Sequence, residues 1–287
     1  MSPYIQSIIL GIVEGLTEFL PVSSTAHLRI SEALMKIPLD DPYWKMYTIV
    51  IQFGAILALA LLYTGRIVDF TRTFPKGENG DRKWWNHSIS LTFVAFAFTS
   101  APALLLHKWS EKNLGSLNAI AWALLIGGIA MWIIDSGSKR YVASTTHVEE
   151  MSLPQAIWIG LCQTLSAIFP GTSRSMSTIA AGQLAGMDRP TALEFSFLLS
   201  IPTMFAATCW DLKKEVFPSG GGAAHVVMNT NNWIVLLIGT AVSFIVALGV
   251  VEWFLHWVRK HGFTLFAIYR ILLGGALLLW GAKYIGG

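Results

Sequence analysis

The sequence predicts an all-α polytopic membrane protein, an inverted repeat of two halves that each hold one re-entrant helix hairpin and three transmembrane helices. Hydrophobic residues make up 54% of the 287 residues and charged residues only 13%, about half the charged share of a soluble protein. Six apolar stretches are long enough to cross a bilayer. Two further apolar stretches are interrupted, and they resemble each other. These observations predict the fold class.

The six candidate spans each offer about 20 mostly apolar residues, the length that a bilayer requires. They are residues 45–64, 86–106, 117–135, 191–210, 233–256 and 263–284. The first interrupted stretch, 4–22, ends at Pro21; the second, 153–170, ends at Pro170 and precedes a short apolar piece, 176–187. We predict that both fold as re-entrant hairpins, because irregular backbone at membrane depth must be enclosed by protein or a water-filled cavity.

An internal duplication relates the two interrupted stretches. A shift of 149 residues pairs Gln6 with Gln155, Ile8 with Ile157, Gly11 with Gly160, Leu16 with Leu165, Pro21 with Pro170 and Ser24 with Ser173. The same shift lays 86–106 over 235–255 and 117–135 over 266–284. Each half of the single membrane domain, 1–138 and 150–287, then holds one hairpin and three spans. Three is odd, so the second half must be inverted, and inverted repeats place their site at the midplane, between the repeats.

Lysine and arginine predict the orientation, because cytoplasmic loops carry an excess of both. The 65–85 loop holds five of them, and the same side receives Lys139, Arg140, Arg259 and Lys260. We therefore predict that this side is cytoplasmic and that both termini face outward. The first hairpin then enters from the outside and the second from the inside.

Several classes of protein are excluded by composition. The net charge is only +3 and no basic run occurs, so nucleic acid is not expected as a partner. Cys162 and Cys209 lie in apolar stretches without paired Cys/His spacing, which predicts neither a disulfide nor a zinc site. The N-terminus lacks a basic segment and its apolar run contains two glutamates, so it is not predicted to be a cleavable signal.

Glu14 and Glu18 lie four residues apart and therefore on one face of the first hairpin helix. A charge at the membrane centre costs about 2.5–3.5 kcal/mol on insertion scales, so two charges on one face need partners. Their hard oxygen atoms suit Mg²⁺ or Ca²⁺, or acid/base work on a phosphate. A structural ion pair is the alternative, but no lysine or arginine is close in sequence.

The turn after this helix is rich in hydroxyl groups. Pro21 ends the helix, and Ser23, Ser24 and Thr25 are good N-cap residues for a second one. Hydroxyls and free backbone N–H groups at a helix N-terminus form an anion site. His27 follows Ser24 by three residues, so the two form a possible nucleophile and base. A capped turn with an interfacial histidine is the alternative.

The second hairpin repeats this pattern with an arginine. Pro170 ends one helix, Ser173 and Ser175 open the next, and Arg174 is the only charged residue between Glu150 and Asp188. Arginine grips phosphate in a bidentate manner; a snorkelling arginine is the alternative. Outside the hairpins, Gln52 is assigned either to substrate binding or to helix packing. Asp188, Arg189 and Glu194 are predicted to cap or pair at a helix that begins near 189.

Together the two hairpins predict a site for a lipid diphosphate with a divalent cation. Arg174 and the helix N-termini attract an anion, and a cation between it and the glutamates satisfies the remaining charge. Ser24 or a water would attack phosphorus, His27 would move the proton, and Arg174 with the metal would stabilise charge on the phosphate oxygens. A transporter or flippase of a phospholipid or anion is the main alternative, and a structural scaffold is a weaker third.

Two motifs resemble the signatures of the bacterial undecaprenyl-diphosphate phosphatases, the bacitracin-resistance family. They are EGLTEFLPVSSTAH at 14–27 and PGTSRS at 170–175, and the segments at 50–55 and 194–199 are also similar. The resemblance covers essentially the whole chain. It implies a multi-pass inner-membrane enzyme that converts undecaprenyl diphosphate to the monophosphate carrier used in cell-wall synthesis. It also implies a divalent cation and a site that opens to the outer face.

By residue, the resemblance implies an acidic motif at Glu14 and Glu18, reaction-centre roles for Ser24 and His27, and a phosphate-binding role for Arg174. The sequence departs from the family pattern at Ala26, where glycine is usual, and at Met176-Ser177, where Gly-Ala is usual. The attacking group stays open among serine, histidine and water. The sequence also leaves a homodimer open.

Overall fold

The computed structural model describes residues 1–77, 80, 82–113, 116–138, 142–216, 226 and 228–281. Regular structure in these residues is helical, which confirms the predicted all-α class, and one isolated β-bridge joins Thr145 to Met187. In chain order the helices are α1 Pro3–Thr17, α2 Ser24–Leu34, α3 Pro42–Val50, α4 Gln52–Leu62, α5 Thr64–Thr73, α6 Ser88–Asn113, α7 Leu117–Ser138, α8 Leu153–Ile168, α9 Arg174–Leu184, α10 Arg189–Val216, α11 Thr230–His261 and α12 Thr264–Ala276.

Five helical segments in the described residues are long and apolar enough to cross a bilayer, which makes this a polytopic membrane protein. They are Pro42–Leu62, Ser88–Leu106, Leu117–Ser138, Arg189–Val216 and Thr230–His261. The prediction of six spans is therefore confirmed for five. The sixth, 263–284, is represented by a shorter apolar helix, Thr264–Leu279, and its last residues lie outside the described part of the chain.

The two interrupted stretches each form a pair of short helices joined by a proline-containing turn. α1 and α8 have 15 and 16 residues, and α2 and α9 have 11 each. The residue before each second helix has left-handed backbone, with φ of 74° at Ser23 and 72° at Ser173. Each serine caps its helix by accepting from the backbone N–H three residues later, at 3.3 Å. The predicted hydroxyl cap is thereby confirmed for Ser23 and Ser173, whereas Ser24 and Thr25 lie inside α2.

This shared conformation corrects the match between the two turns. Because Ser23 and Ser173 occupy the same structural position, the offset at the turns is 150 residues, and the counterpart of Ser24 is Arg174 rather than Ser173. The second turn contains one more residue between its proline and its cap. Gly171, with φ of 91°, lies in this longer turn, where a left-handed conformation favours glycine.

The first helix of each hairpin packs on a long helix from the other part of the sequence. α1 lies along α11, and α8 lies along α6. A Cβ atom on Gly11 would lie 2.7 Å from the carbonyl oxygen of Gly239, and one on Gly160 would lie 2.4 Å from that of Ala95. The helix backbones therefore touch, as small residues allow in membranes. Thr99 also donates to the carbonyl of Gly160, at 2.8 Å.

The largest apolar cluster lies directly beside the first turn. Phe19, the residue after Glu18, is fully buried and packs edge-to-face on Phe197 of α10 with ring centroids 5.3 Å apart. Phe197 in turn packs on Phe254 of α11. Aromatic contacts of this kind are worth about 0.5–1.5 kcal/mol beyond the buried area. The core thus fixes the end of α1, where the acidic residues lie.

A helix cap and two ion pairs stabilise the start of α10, as predicted. Asp188 accepts from the backbone N–H of Thr191 at 2.8 Å. Arg189 donates to the buried Asp135 at 2.7 Å, and Glu194 accepts from Arg66 at 2.7 Å. These bonds join the ends of α5, α7 and α10.

Arg66 also binds Glu149, in the loop that precedes α8, at 2.8 Å. Burial by itself would raise the pKa of the Glu149 carboxyl, but the hydrogen bond and the charge of Arg66 outweigh it and lower that pKa below its usual value of 4.5. A carboxyl whose pKa is lowered by folding stabilises the fold above its unfolded pKa, and this stabilisation is lost as the pH falls through the folded pKa.

We expect Gly160→Ala to lower the melting temperature by several degrees, because the new methyl group forces α8 away from α6; overpacking of this kind costs about 1–3 kcal/mol. Gly249→Ala is the matched control, since a Cβ on Gly249 of α11 would meet nothing within 4 Å. Thermal unfolding in detergent micelles measures both. Equal melting temperatures would contradict the close approach of the two backbones.

Lowering the pH below about 4.5 should destabilise the wild-type protein more than Glu149→Gln, because only the wild type loses the Arg66–Glu149 pair on protonation. The melting temperature as a function of pH checks this. Asp69→Asn, which removes a carboxylate from the same helix as Arg66, is the control and should keep the wild-type slope. A Glu149→Gln slope equal to that of the wild type would refute the pair's contribution.

Candidate active site

The turns of the two hairpins meet, and Arg174 reaches the end of α1. Its Nη2 donates to Oε1 of Glu18 at 3.2 Å, and the two side chains are only 12% and 6% exposed. Beside this pair, the hydroxyl of Ser175 donates to the carbonyl of Leu20 at 3.0 Å. Residues that are about 155 positions apart in the sequence therefore form one buried contact.

Ser24 binds the other oxygen of Glu18. Its hydroxyl donates to Oε2 at 2.5 Å, and both residues are 8% exposed. The expected pairing of Ser24 with His27 does not occur, because Ser24 turns toward α1 while His27 binds elsewhere. The structure thus places a serine hydroxyl against a carboxylate rather than against an imidazole.

Glu14 lies one turn before Glu18 and is fully buried. Neither oxygen of its carboxylate has a hydrogen-bond partner. Burying an ionised carboxylate without a partner is strongly unfavourable, so this position calls for a cation or a proton.

A divalent cation fits this pair only with help from other ligands. Among the described residues, no group of three or more His, Cys, Asp or Glu side chains is arranged to hold a metal. Mg²⁺ is commonly held by one or two carboxylates together with substrate phosphates and water. Glu14 and Glu18 supply hard oxygen atoms of this kind, and a phosphorylated substrate would supply the remainder.

His27 is held on both sides of its ring. Nδ1 lies 2.7 Å from the carbonyl oxygen of Ser23, and Nε2 lies 2.6 Å from the hydroxyl of Tyr269 on α12. The two rings are stacked, with centroids 5.6 Å apart and an angle of 10° between their planes. The histidine therefore links the first turn to the last helix.

Arg270, a residue that sequence reasoning missed, joins the two turns. It is fully buried, and its guanidinium donates to four carbonyl oxygens, those of Pro21, Ala123, Gly171 and Thr172, at 3.0–3.3 Å. A Cβ on Gly127 of α7 would lie 2.5 Å from Nη2 of Arg270, so glycine makes room for the guanidinium. A charge in the middle of an apolar stretch is itself a signal of function. The sequence shows this signal, because Arg270 lies within the apolar stretch 263–284.

The remaining predicted residues are placed less centrally. Ser173 lies 3.1 Å from Ser175, hydroxyl to hydroxyl, and Ser23 serves as a cap. Thr25 is half-buried on the first turn of α2. Gln52 donates to the carbonyl of Thr48 at 3.3 Å, a bond within its own span, so the structure does not link it to the two turns.

Ala26 and Met176, where the sequence departs from the family pattern, are both buried in apolar surroundings. Ala26 is fully buried in an apolar cluster with Ile120, Ala121 and Leu124 of α7. Met176 is 6% exposed, and its methyl carbon would lie 2.8 Å from a Cβ on Gly127. The added bulk of both side chains is therefore buried inside the protein, against α7.

Comparison with known protein families gives a match over most of the chain. A family model described as bacitracin resistance protein BacA matches residues 7–276. The chain belongs to the BacA family. This confirms the resemblance that the two motifs indicated. The match begins at Ser7, within α1, and ends at Ala276, the last residue of α12.

Curated relatives cover nearly the whole chain. A protein of Koribacter versatilis named undecaprenyl-diphosphatase is 56% identical over 286 residues, 99% of this chain and 100% of that protein. Proteins of the same name from Caldanaerobacter subterraneus subsp. tengcongensis and Rhizobium etli are 39% identical over 286 residues and 41% identical over 276. They cover 99% and 96% of this chain, and 98% and 96% of their own lengths.

Arg270→Lys should lower the melting temperature markedly, by an amount that corresponds to about 2 kcal/mol or more. A lysine offers one compact ammonium in place of the planar donor set, and each hydrogen bond to a charged group contributes about 1.5–3 kcal/mol. Arg259→Lys, at an exposed arginine of α11, is the control and should melt as the wild type does. Equal effects of the two substitutions would contradict the role of Arg270 in joining the turns.

Proposed function

We propose that the protein is an integral-membrane phosphatase that hydrolyses undecaprenyl diphosphate to undecaprenyl phosphate and inorganic phosphate, and so recycles the lipid carrier of cell-wall synthesis. The observation that carries this proposal is the position of Glu18, which binds the hydroxyl of Ser24 with one oxygen and the guanidinium of Arg174 with the other. The curated relatives named undecaprenyl-diphosphatase support the same activity.

Ser24 is our choice of nucleophile, because its hydroxyl already donates to a carboxylate that can accept the proton. Attack of Oγ on the terminal phosphorus forms a P–O bond and breaks the bond to the bridging oxygen, which leaves with the lipid monophosphate. Glu18 holds the serine proton. Water then attacks the phosphoserine, phosphate is released, and the serine oxygen recovers its proton from Glu18.

Arg174 is proposed to bind the phosphate groups. Its Nε is buried without a hydrogen-bond partner. Nη2 donates to Glu18 and Nη1 to the carbonyl of Ser196, at 3.2 and 3.5 Å, so the side chain is fixed in place while Nε and the second hydrogen of each terminal nitrogen stay free. An arriving phosphate would take up these donors in the bidentate manner that arginine favours. Ser173 and Ser175, beside the arginine, and Ser23 and Thr25, in the first turn, are the further proposed phosphate ligands.

We propose that Glu14 and Glu18 hold the divalent cation, Mg²⁺ or Ca²⁺, together with the substrate. When bound, such a cation neutralises charge on the diphosphate oxygens. The two unpartnered oxygens of Glu14 support this assignment. Gln52 is proposed only as an outer contact of the substrate, since its side chain is bound within its own span.

We also propose the finer architecture, an inverted repeat with two re-entrant hairpins and halves 1–138 and 150–287. The exchange of partners supports it: α1 packs on α11, and its counterpart α8 packs on α6. The lengths of α1 and α8, below the roughly 20 residues of a crossing, support re-entrant hairpins. The site then opens to the outer face of the inner membrane. All its proposed residues belong to one chain.

A transporter or flippase is the alternative from another class. An anion carrier needs helix N-termini and an arginine, but it has no use for a serine hydroxyl held against a carboxylate. That contact favours the enzyme.

Purified protein should release phosphate from a polyprenyl diphosphate in the presence of Mg²⁺ or Ca²⁺, and EDTA should abolish the release. Ser24→Ala, Glu18→Gln and Arg174→Ala should each lower kcat by about 100-fold or more, since each removes a group that acts on the reacting phosphate. A phosphate-release assay with farnesyl diphosphate in detergent measures all of these.

Matched controls separate chemistry from folding. Ser31→Ala changes another serine of α2, and Arg72→Ala changes an exposed arginine of α5; both should keep wild-type rates. No release by the wild type with either metal would refute the enzyme. Wild-type rates in Ser24→Ala would refute the role of Ser24 as nucleophile and leave water as the attacking group.

A further inference from the structure

The hydrogen bonds of His27 determine where its protons lie. A carbonyl oxygen can only accept, so Nδ1, 2.7 Å from the carbonyl of Ser23, must carry a hydrogen. In the neutral ring Nε2 is then an acceptor, and the hydroxyl of Tyr269 donates to it across 2.6 Å. Neither ring nitrogen is left free to meet a phosphate directly.

The position of Tyr269 is fixed by the contacts of the next residue, Arg270. Arg270 is fully buried and binds backbone carbonyls of both turns, so this part of α12 has a fixed position against the site. Consecutive helical residues point in different directions, and Tyr269 is 42% exposed. The hydrogen-bonded series from Ser23 through His27 therefore ends at the hydroxyl of a partly exposed tyrosine.

We propose that His27 exchanges its proton with the reacting phosphate through the hydroxyl of Tyr269. This inference rests on the proposed phosphatase activity and adds a residue to it. A hydroxyl accepts and donates at the same time, which is the property that a relay needs, whereas the two nitrogens of His27 are both occupied. The two rings lie nearly parallel, with the hydroxyl 2.6 Å from Nε2.

Protons balance in both steps of the reaction. In the first step His27 is protonated, which reverses its hydrogen bond with Tyr269, so that Nε2–H donates to the tyrosine oxygen and the tyrosine hydroxyl is free to donate. The Nε2 proton then passes to the tyrosine oxygen while the tyrosine proton passes to the bridging oxygen as the P–O bond breaks. This leaves a neutral histidine and an intact hydroxyl. In the second step the attacking water gives a proton to the tyrosine oxygen, and the tyrosine proton returns to Nε2. Ser24 and Glu18 exchange their own proton separately.

Tyr269→Phe is the test, because it keeps the stacked ring and removes only the hydroxyl. We expect kcat with farnesyl diphosphate to fall by about 100-fold, the lower end of general acid–base effects, while KM changes less than about threefold. Tyr4→Phe is the matched control: Tyr4 is 41% exposed and also donates one side-chain hydrogen bond, to Asn231. It should keep the wild-type kcat.

A double variant distinguishes a relay from two independent effects. If the proton passes through both residues, His27→Ala with Tyr269→Phe should be no slower than His27→Ala alone, since residues that act as a unit are not additive. Multiplying losses would overturn the relay. So would a Tyr269→Phe variant with the wild-type kcat.

A spectroscopic readout tests the contact without turnover. In protein labelled with ¹⁵N-histidine, the Nε2 resonance of His27, assigned by its loss in His27→Gln, should shift in Tyr269→Phe and stay in place in Tyr4→Phe. An unshifted resonance would overturn the contact on which the relay depends. If Tyr269→Phe does not fold, 3-fluorotyrosine at position 269 keeps the hydroxyl and makes it more acidic; an unchanged kcat there would overturn the relay.

The two proposals fail in different ways. A wild-type protein that releases no phosphate refutes the phosphatase, whatever the spectrum of His27 shows. A wild-type protein that is active, beside a Tyr269→Phe variant that is equally active, refutes the relay and leaves the phosphatase standing.

Discussion

The guanidinium of Arg270 holds the two hairpin turns against each other, and the arrangement of the site depends on it. The side chain is fully buried, and three of its four backbone partners, Pro21, Gly171 and Thr172, belong to the turns. A buried charge is costly unless it is fully hydrogen-bonded. Separation of the turns would leave this cation with Ala123 as its one remaining backbone partner, so the cost of burying an underbonded charge opposes that separation.

Once the turns are joined, the electrostatics of the site follow from a single carboxylate. Glu18 lies between Ser24 of one turn and Arg174 of the other, and Phe19 anchors it to the aromatic core. Ser24 and Arg174, which both bind Glu18, are each the first residue of the second helix of a hairpin. They take this position because Ser23 and Ser173 before them have the same backbone conformation. The two hairpins thus present a hydroxyl and a cation at the same structural position.

The sequence predicted the all-α membrane class, five of the spans and the serine caps, because each depends on residues close together in the chain. Apolar length predicts a span, and a serine after a proline predicts a cap. It was wrong about the side-chain pairing at the first turn. Ser24 binds Glu18 rather than His27, since the turn bends the first residue of α2 back toward α1, and helical spacing does not describe a turn with left-handed backbone.

Local chemistry in the sequence determined which groups stand on each hairpin: the two glutamates on one, the arginine on the other, and hydroxyls in both turns. Only the tertiary structure decided how they pair, because pairing depends on two glycine-lined helix contacts and on one buried arginine from α12. Tyr269 and Arg270 show the difference most clearly. They lie about 240 residues from the first turn, and no local pattern relates them to it until packing brings α12 against His27 and Pro21.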